Sequence, residues 1–394
     1  MKIEIVDFFY LAMPAIRDIG DGSQDALLVR VAADNGLEGW GECEAAPLVS
    51  IAAWCCPMSH SACKPVSHSV LGRAIGGPAD IRALTKDVRR HSFDLLQADH
   101  TLAGIDMALW DLLGKERGEP VWKLLGWERA FPKIAYASQL FGDTPAETFR
   151  KAQGVRARGF RAAKFGWGPF GSELAADEAH VRAAREGLGP DVALLVDAGT
   201  VWGEDVEAAA QRLPVLQACD VLWLEEPFVS GALGAYRELG RRMRGPLRTA
   251  GGEGAHEPFM ARNLIDFGEV GYIQIDAGRI GGITSAYEVA RYAATRGAAY
   301  VNHTFTTPLA LSASLHPYAG LEHAALCEYP VEASPLASAL TRETLPVDAD
   351  GRIHLPERPG LGMTPNPETI RKYLLPVEIR VGSRLLYTTP MLSR

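Results

Sequence analysis

From residue 133 to residue 330 the chain alternates short apolar runs with longer stretches whose apolar residues recur every three or four positions. The short runs predict strands near 133–138, 160–166, 193–197, 221–226, 247–253, 271–276, 298–303 and 324–328, largely apolar, as parallel strands buried on both faces are. The longer stretches, among them 145–159, 177–187 and 285–296, predict helices between the strands. Five of the short runs, in LLVDAGT, WLEEPF, TAGGEGAHE, YIQIDAGRIGG and YVNHTF, reach an acid or a histidine followed closely by Gly, Thr or Pro. Asp197, Glu225, Glu253, Asp276 and His303 consequently lie 28, 28, 23 and 27 residues apart, each interval long enough for one strand, one helix and two short loops. This pattern predicts an α/β fold, a (β/α)8-type barrel whose successive strand ends gather at one mouth, where such barrels build their sites. A doubly wound sheet would alternate in the same way, but GEGAHE and GRIGG do not complete G-x-G-x-x-G at a strand-to-helix turn.

The two ends of the chain follow other patterns. KIEIVDFFY, ALLVRVAAD and LEGWGECEA read as three strands, the last two joined across Asn35-Gly36, a strong hairpin signal. Helical patterns follow over 80–97 and 101–118. In the second, Leu102, Ile105, Ala108, Leu109, Leu112 and Leu113 form a core stripe that Gly118 and Pro120 end. Met13 to Gly22 and Pro47 to Lys64 show no clear period and are expected to be long loops, suited to a lid. After Pro356 a short-strand pattern returns in VEIRVGSRLLYTTP. The expected organisation is an N-terminal α+β capping domain over 1–125, a barrel over 126–355, and a C-terminal tail over 356–394 that rejoins the capping domain.

Composition narrows the function. With 394 residues and 47% apolar content, the chain can bury a barrel core and still form a second unit. A net charge of -8 leaves no basic stripe for a phosphate backbone, so nucleic acid is not an expected partner. No apolar run is long enough to span a membrane and no signal-like start is visible, so a cytoplasmic protein without membrane contact is expected. The cysteines, Cys43, Cys55, Cys56, Cys63, Cys219 and Cys327, lack paired spacing and are expected to be reduced thiols. A soft-metal site at Cys55, Cys56, His60 and Cys63 has no regular ligand spacing behind it.

The chemistry lies in the polar strand ends. Asp197, Glu225 and Glu253 on successive strands would repel one another and take up protons unless a cation joined them. All-oxygen ligation favours Mg2+, with Mn2+ as a substitute. Lys164, ending the second strand, faces that site and could hold a substrate carboxylate, or act as a base if its pKa were depressed. Asp276 beside His303 orients the imidazole and raises its basicity. Glu328, in LCEYP, could donate to an oxyanion if its surroundings kept it protonated. Together these residues suit a small-molecule carboxylate substrate that loses its α-proton to His303 while the charge that develops is stabilised.

These motifs resemble the enolase superfamily, and more narrowly its mandelate racemase subgroup. The resemblance spans nearly the whole chain: the capping unit, AGIDMALWDLLGKERGEPVWKLLG, the acids of VDAG, LEEP and GGEG, the Asp276–His303 dyad and CEYP. It implies that Glu225, rather than Glu226, ligates the metal, and it excludes relatives with a lysine base where this chain has Asp276. Many members carry Lys-x-Lys at the end of the second strand, but here the motif is Lys164-Phe165-Gly166. The missing second base disfavours a two-base racemase and implies a dehydratase of a sugar acid, aldonate or aldarate, giving a 2-keto-3-deoxy acid. The base face implies a (2R) configuration. The alternatives are a racemase or epimerase of a 2-hydroxy acid, with Lys164 as second base, and a catalytically silent binding relative. The resemblance also places substrate selection in the two capping loops, with Arg17, Trp54, His60, Lys64 and Trp167 as candidate contacts, and allows a homo-oligomer.

Overall fold

The computed structural model describes residues 1–392. Strands β1 (Ile3–Ala12), β2 (Asp25–Ala33) and β3 (Glu38–Cys43) form an antiparallel sheet in that order. Gly36 turns the chain between β2 and β3 at φ 80°, a conformation that favours glycine. β3 reads GWGE because helix Ala98–Arg117 lies directly upon it. A Cβ on Gly39 would come within 2.0 Å of the Ala108 carbonyl oxygen, and one on Gly41 within 2.1 Å of the Gly104 carbonyl oxygen. The predicted stripe from Leu102 to Leu113 is fully buried, at about 1.5–3 kcal/mol for each large side chain. Asp111 on the same helix is also buried. Its carboxylate accepts from the Trp40 and Leu361 amides, each at 2.9 Å, and so joins helix, sheet and C-terminal segment.

The barrel strands are β4 (Lys133–Leu140), β5 (Ala162–Gly166), β6 (Ala193–Asp197), β7 (Val221–Glu225), β8 (Arg248–Gly251), β9 (Tyr272–Asp276), β10 (Ala299–His303) and β11 (Leu326–Pro330). They pair in parallel in the order β10-β9-β8-β7-β6-β5-β4-β11. Inside, Tyr136, Ala162, Leu195, Trp223, Ala250 and Val301 fill the barrel with side chains. No backbone ladder joins β10 to β11, and the Asn302 side chain bridges that seam instead. Its Oδ1 accepts from the Glu328 amide at 2.9 Å, and its Nδ2 donates to the Glu328 carbonyl at 3.4 Å.

The tail adds helix Pro367–Tyr373 and a hairpin of Glu378–Val381 with Arg384–Thr388. It does return to β1: the Leu375 amide donates to the Tyr10 carbonyl at 2.8 Å, and the Tyr387 hydroxyl donates to the Phe8 carbonyl at 2.5 Å. Pro47 to Lys64 is not one long loop, since Pro47–Cys55 is a helix. PLVSIAAWC is apolar all round, with Leu48 and Val49 exposed while Ile51 and Trp54 are buried, so no period marks it. The helix expected over 80–97 spans Pro78–His91, and a turn leaving Phe93 and Leu96 exposed separates it from the next. Among the described residues no helix is long and apolar enough to cross a membrane.

The seam carries a test. Asn302→Leu keeps the approximate size but leaves the Glu328 amide without its acceptor. It should lower stability by about 2–3 kcal/mol, read from urea unfolding; an unchanged midpoint would show that the seam does not depend on this amide.

Candidate active site

Strand register sets the geometry. Gly166 pairs with Asp197, Asp197 with Glu225, and Asp276 with His303, so the ends of β5, β6 and β7 are level, as are those of β9 and β10. Glu253 is the exception, lying two residues beyond the end of β8, after Gly252 at φ 131°. All seven residues predicted from the sequence are buried or nearly so at this one mouth, and most line or border a cavity of about 440 Å³.

Lys164 is 4% exposed and bridges three acids. Its Nζ lies 2.5 Å from Glu225 Oε1, 2.9 Å from Glu328 Oε1 and 3.3 Å from Asp197 Oδ2. Burial alone would lower its pKa, but Glu225, Glu328 and Asp197 outweigh burial and hold it well above the ordinary lysine value. The depressed pKa that a lysine base requires is not found in this arrangement, where Lys164 is ion-paired with all three acids. Glu328 differs from expectation in the opposite sense. Burial would raise it, but Lys164 and His303 bring its pKa below the usual value. Its oxygens accept from Ser138 Oγ at 2.8 Å, from the Thr304 amide at 2.8 Å and from Lys164. It stands here as a carboxylate that anchors Lys164, rather than as a proton donor.

The dyad is formed as the sequence implies. His303 Nδ1 lies 2.7 Å from Asp276 Oδ2, while Asp276 Oδ1 accepts from the Gly278 amide at 2.6 Å. This pairing fixes the ring and leaves Nε2 turned toward the cavity, 3.0 Å from Glu253 Oε2. The His303 pKa is raised well above normal, against burial, chiefly by Glu253 and Glu328. Glu253 is correspondingly lowered: burial opposes the shift, and His303 and Arg279 override it.

Sequence reasoning missed Arg279 and Glu44. Arg279 donates from Nη1 to Glu253 Oε1 at 3.2 Å, from Nη2 to Glu44 Oε1 at 2.9 Å, and from Nε to Glu44 Oε2. One guanidinium thus ties the residue after β3 to the segment that follows β8. The signal was present in IDAGRIGG, where Arg279 follows Asp276 by three residues, and in GECEA, where Glu44 ends a strand as the barrel acids do. Of the proposed loop contacts, only Trp167 lines the cavity. Trp54 is buried against Phe8, His60 pairs with Asp94, Lys64 lies 3.2 Å from His68, and Arg17 is outside the lining. Cys55 and Cys56 line a separate cavity, and all six cysteines are free.

Charge and donor type show whether a metal suits this mouth. Asp197, Glu225, Glu253, Asp276, Glu328 and Glu44 face three cationic groups, Lys164, His303 and Arg279. The shortfall shows in Asp197 and Glu225, whose pKa values burial raises and Lys164 does not restore. As placed, among the described residues, no three His, Cys, Asp or Glu side chains form a ready-made cage; the acids turn to the resident cations instead. Asp197, Glu225 and Glu253 nevertheless supply only hard carboxylate oxygens in an under-compensated, buried setting, which fits a hard divalent ion.

Comparison with known proteins agrees with this geometry. A family profile described as "Enolase C-terminal domain-like" matches residues 147–369, and one for the "Mandelate racemase / muconate lactonizing enzyme, N-terminal domain" matches residues 16–126. Curated relatives include the D-galactarolactone cycloisomerase of Agrobacterium fabrum, 28% identical over 89% of this chain and 91% of that protein. The L-rhamnonate dehydratase of Saccharopolyspora erythraea is 30% identical over 68% of this chain and 67% of its own. Among solved structures, a "predicted Mandelate racemase" from Rhodobacter sphaeroides shares 56% identity and superposes with a TM-score of 0.95, covering 99% of this chain and 100% of the other.

Removing the Glu44 charge while keeping its shape, as in Glu44→Gln, leaves Arg279 with Glu253 as its one carboxylate partner. Stability should fall by about 2 kcal/mol in urea unfolding, because a buried charge loses a partner. A variant as stable as the parent would show that the link between cap and barrel is energetically idle.

Proposed function

The chain belongs to the mandelate racemase/muconate lactonizing enzyme family of the enolase superfamily, and on that basis we propose that it is a magnesium-dependent hydro-lyase that dehydrates a sugar acid to a 2-keto-3-deoxy acid. Asp197, Glu225 and Glu253 are the residues that would hold magnesium. Bound there, magnesium supplies Lewis-acid charge that acidifies the α-proton and offsets the negative charge developing on the substrate carboxylate.

The protein's own residues supply the proton transfers. His303 Nε2 takes the proton from C2 while Asp276 holds Nδ1–H and compensates the imidazolium. The Lys164 ammonium, anchored by Glu328, faces the oxygen on which charge accumulates. The electron pair of the broken C2–H bond forms the C2–C3 double bond and expels the C3 hydroxyl. That hydroxyl leaves as water after receiving the proton from His303, and the enol then tautomerises to the 2-keto acid.

One observation carries the choice of dehydration over two-base racemisation. Gly166 ends β5 where many relatives have a second lysine, and a Cβ built there would lie 2.6 Å from the Asp197 Cβ. The position has no room for a side chain unless Asp197 moves. With no second side chain at Gly166, a single base, His303, serves one face of the substrate, and Lys164 stays ion-paired with its three acids. The relatives named as a rhamnonate dehydratase and a galactarolactone cycloisomerase support sugar-acid chemistry.

Incubation with magnesium and a library of aldonates and aldarates, followed by semicarbazide detection, should reveal a 2-keto product from at least one acid. His303→Asn should abolish both this turnover and deuterium exchange at C2, by more than about a thousandfold, while retaining magnesium. Deuterium incorporation without keto acid in the parent enzyme would shift the assignment to an epimerase or racemase. Treatment with EDTA should remove activity and added Mg2+, or Mn2+, should restore it. Full activity after chelation and dialysis would contradict the metal's role.

A further inference from the structure

The proposed reaction engages only the carboxylate end of the substrate. The rest of the cavity wall comes from the loop after β1 (Ile19 to Gly22), from Gln139 and Leu140 at the end of β4, and from Trp167 after β5. Three features of this wall describe what it would hold.

The first is an acceptor, Asp21. Its Oδ1 is taken by the Ser23 amide at 2.9 Å and the Ser23 hydroxyl at 2.6 Å, while its other oxygen receives no hydrogen bond from the described residues. Trp167 supplies a flat apolar surface. It sits at φ 56°, a left-handed conformation that a bulky residue adopts only when its surroundings enforce it. Gly20 and Gly199 pack closely against it: a Cβ on either would crowd the indole, at 3.2 and 2.9 Å.

Charge is the third feature. The cationic side chains in the lining are Lys164, Arg279 and His303, and all are already paired with carboxylates. Arg17 and Lys64, the cations that could have met a second substrate carboxylate, are absent from the lining. A second carboxylate would instead find Asp21 and Glu44. Resting on the sugar-acid reading above, we propose that the substrate is a monocarboxylate with an uncharged polyol tail, an aldonate rather than an aldarate. A tail hydroxyl donates to Asp21, and the tail's C–H face lies on the Trp167 indole.

The test uses the magnesium-loaded full-length enzyme and pairs of acids that differ only at the terminal carbon, such as galactonate with galactarate and gluconate with glucarate. Keto-acid formation and deuterium exchange at C2 are measured for each. In the pair with the reactive configuration, the aldonate should show a kcat/KM at least about tenfold above that of its aldarate. An aldarate that matches or exceeds its aldonate overturns this inference and leaves the dehydratase reading standing. Absence of product, exchange and binding with every acid overturns both. Asp21→Asn retains the oxygen that accepts from Ser23 and removes the charge. It should raise KM for the aldonate more than it lowers kcat and narrow the aldonate preference by about tenfold, with an unchanged Tm. An Asp21→Asn variant that keeps the parental preference and KM would show that the tail does not lie where proposed.

Discussion

Carboxylates from the ends of β6, β7, β8, β9, β11 and β3 are removed from water at one mouth, and the surrounding structure is arranged to make that burial tolerable. Each desolvated acid would take up a proton if left alone, and Asp197 and Glu225 show that tendency in their raised pKa values. Three cationic side chains answer, each bridging acids from different strands. Lys164 spans β6, β7 and β11, His303 spans β9 and the segment after β8, and Arg279 reaches from the barrel to the cap. The remaining excess of negative charge suits both a divalent ion and the developing cationic character of a protonated base. Stability and chemistry therefore draw on the same imbalance, and neither can be altered without the other.

The cap is fastened to the barrel by polar contacts concentrated around this mouth. Glu42 on β3 is fully buried, its pKa pushed up to about 8 by desolvation, and it accepts from the Thr307 hydroxyl just after β10. His100 on the capping helix meets His256, three residues beyond Glu253, at 2.8 Å. Farther out, Asp106 accepts from Thr284 where Gly281-Gly282 lets the capping helix approach, a Cβ on Gly282 being 2.4 Å from the Asp106 Cβ. These contacts fix the cap on the barrel, and the Ser334 amide, donating to the Ser23 hydroxyl at 2.7 Å, anchors the end of the loop after β1. Selection of the substrate tail is thereby tied to the same framework that holds the base.

The sequence made the barrel legible because its strands end on chemistry. Eight predicted strands fall within a few residues of the observed ones, and Asp276 and His303 meet as their spacing implied. What remained hidden depended on contacts between distant segments. No local pattern announces that Asn302 closes the barrel, since a lone amide in a strand has no period. The helix Pro47–Cys55 was illegible because both its faces are apolar. Protonation states stayed conditional for a related reason: those of Glu328 and Lys164 depend on one ion pair between residues far apart in the chain. Asp21 carries no motif at all, and only its placement on the cavity wall distinguishes it from ordinary polar residues.

The contact of the C-terminal hairpin with β1 has a consequence for biosynthesis. The N-terminal sheet is covered in part by Leu375 and Tyr387, which are made long after β1. The full capping layer cannot form until residues 375 to 387 have been made, and the N-terminal strands wait, partly uncovered, through synthesis of the barrel. Tyr10 and Phe8, whose carbonyls receive those late donors, would spend that interval as an unfinished edge. Growth conditions that slow translation lengthen that interval, so yield in a foreign host should depend on chaperone supply more than the stability of the finished molecule suggests.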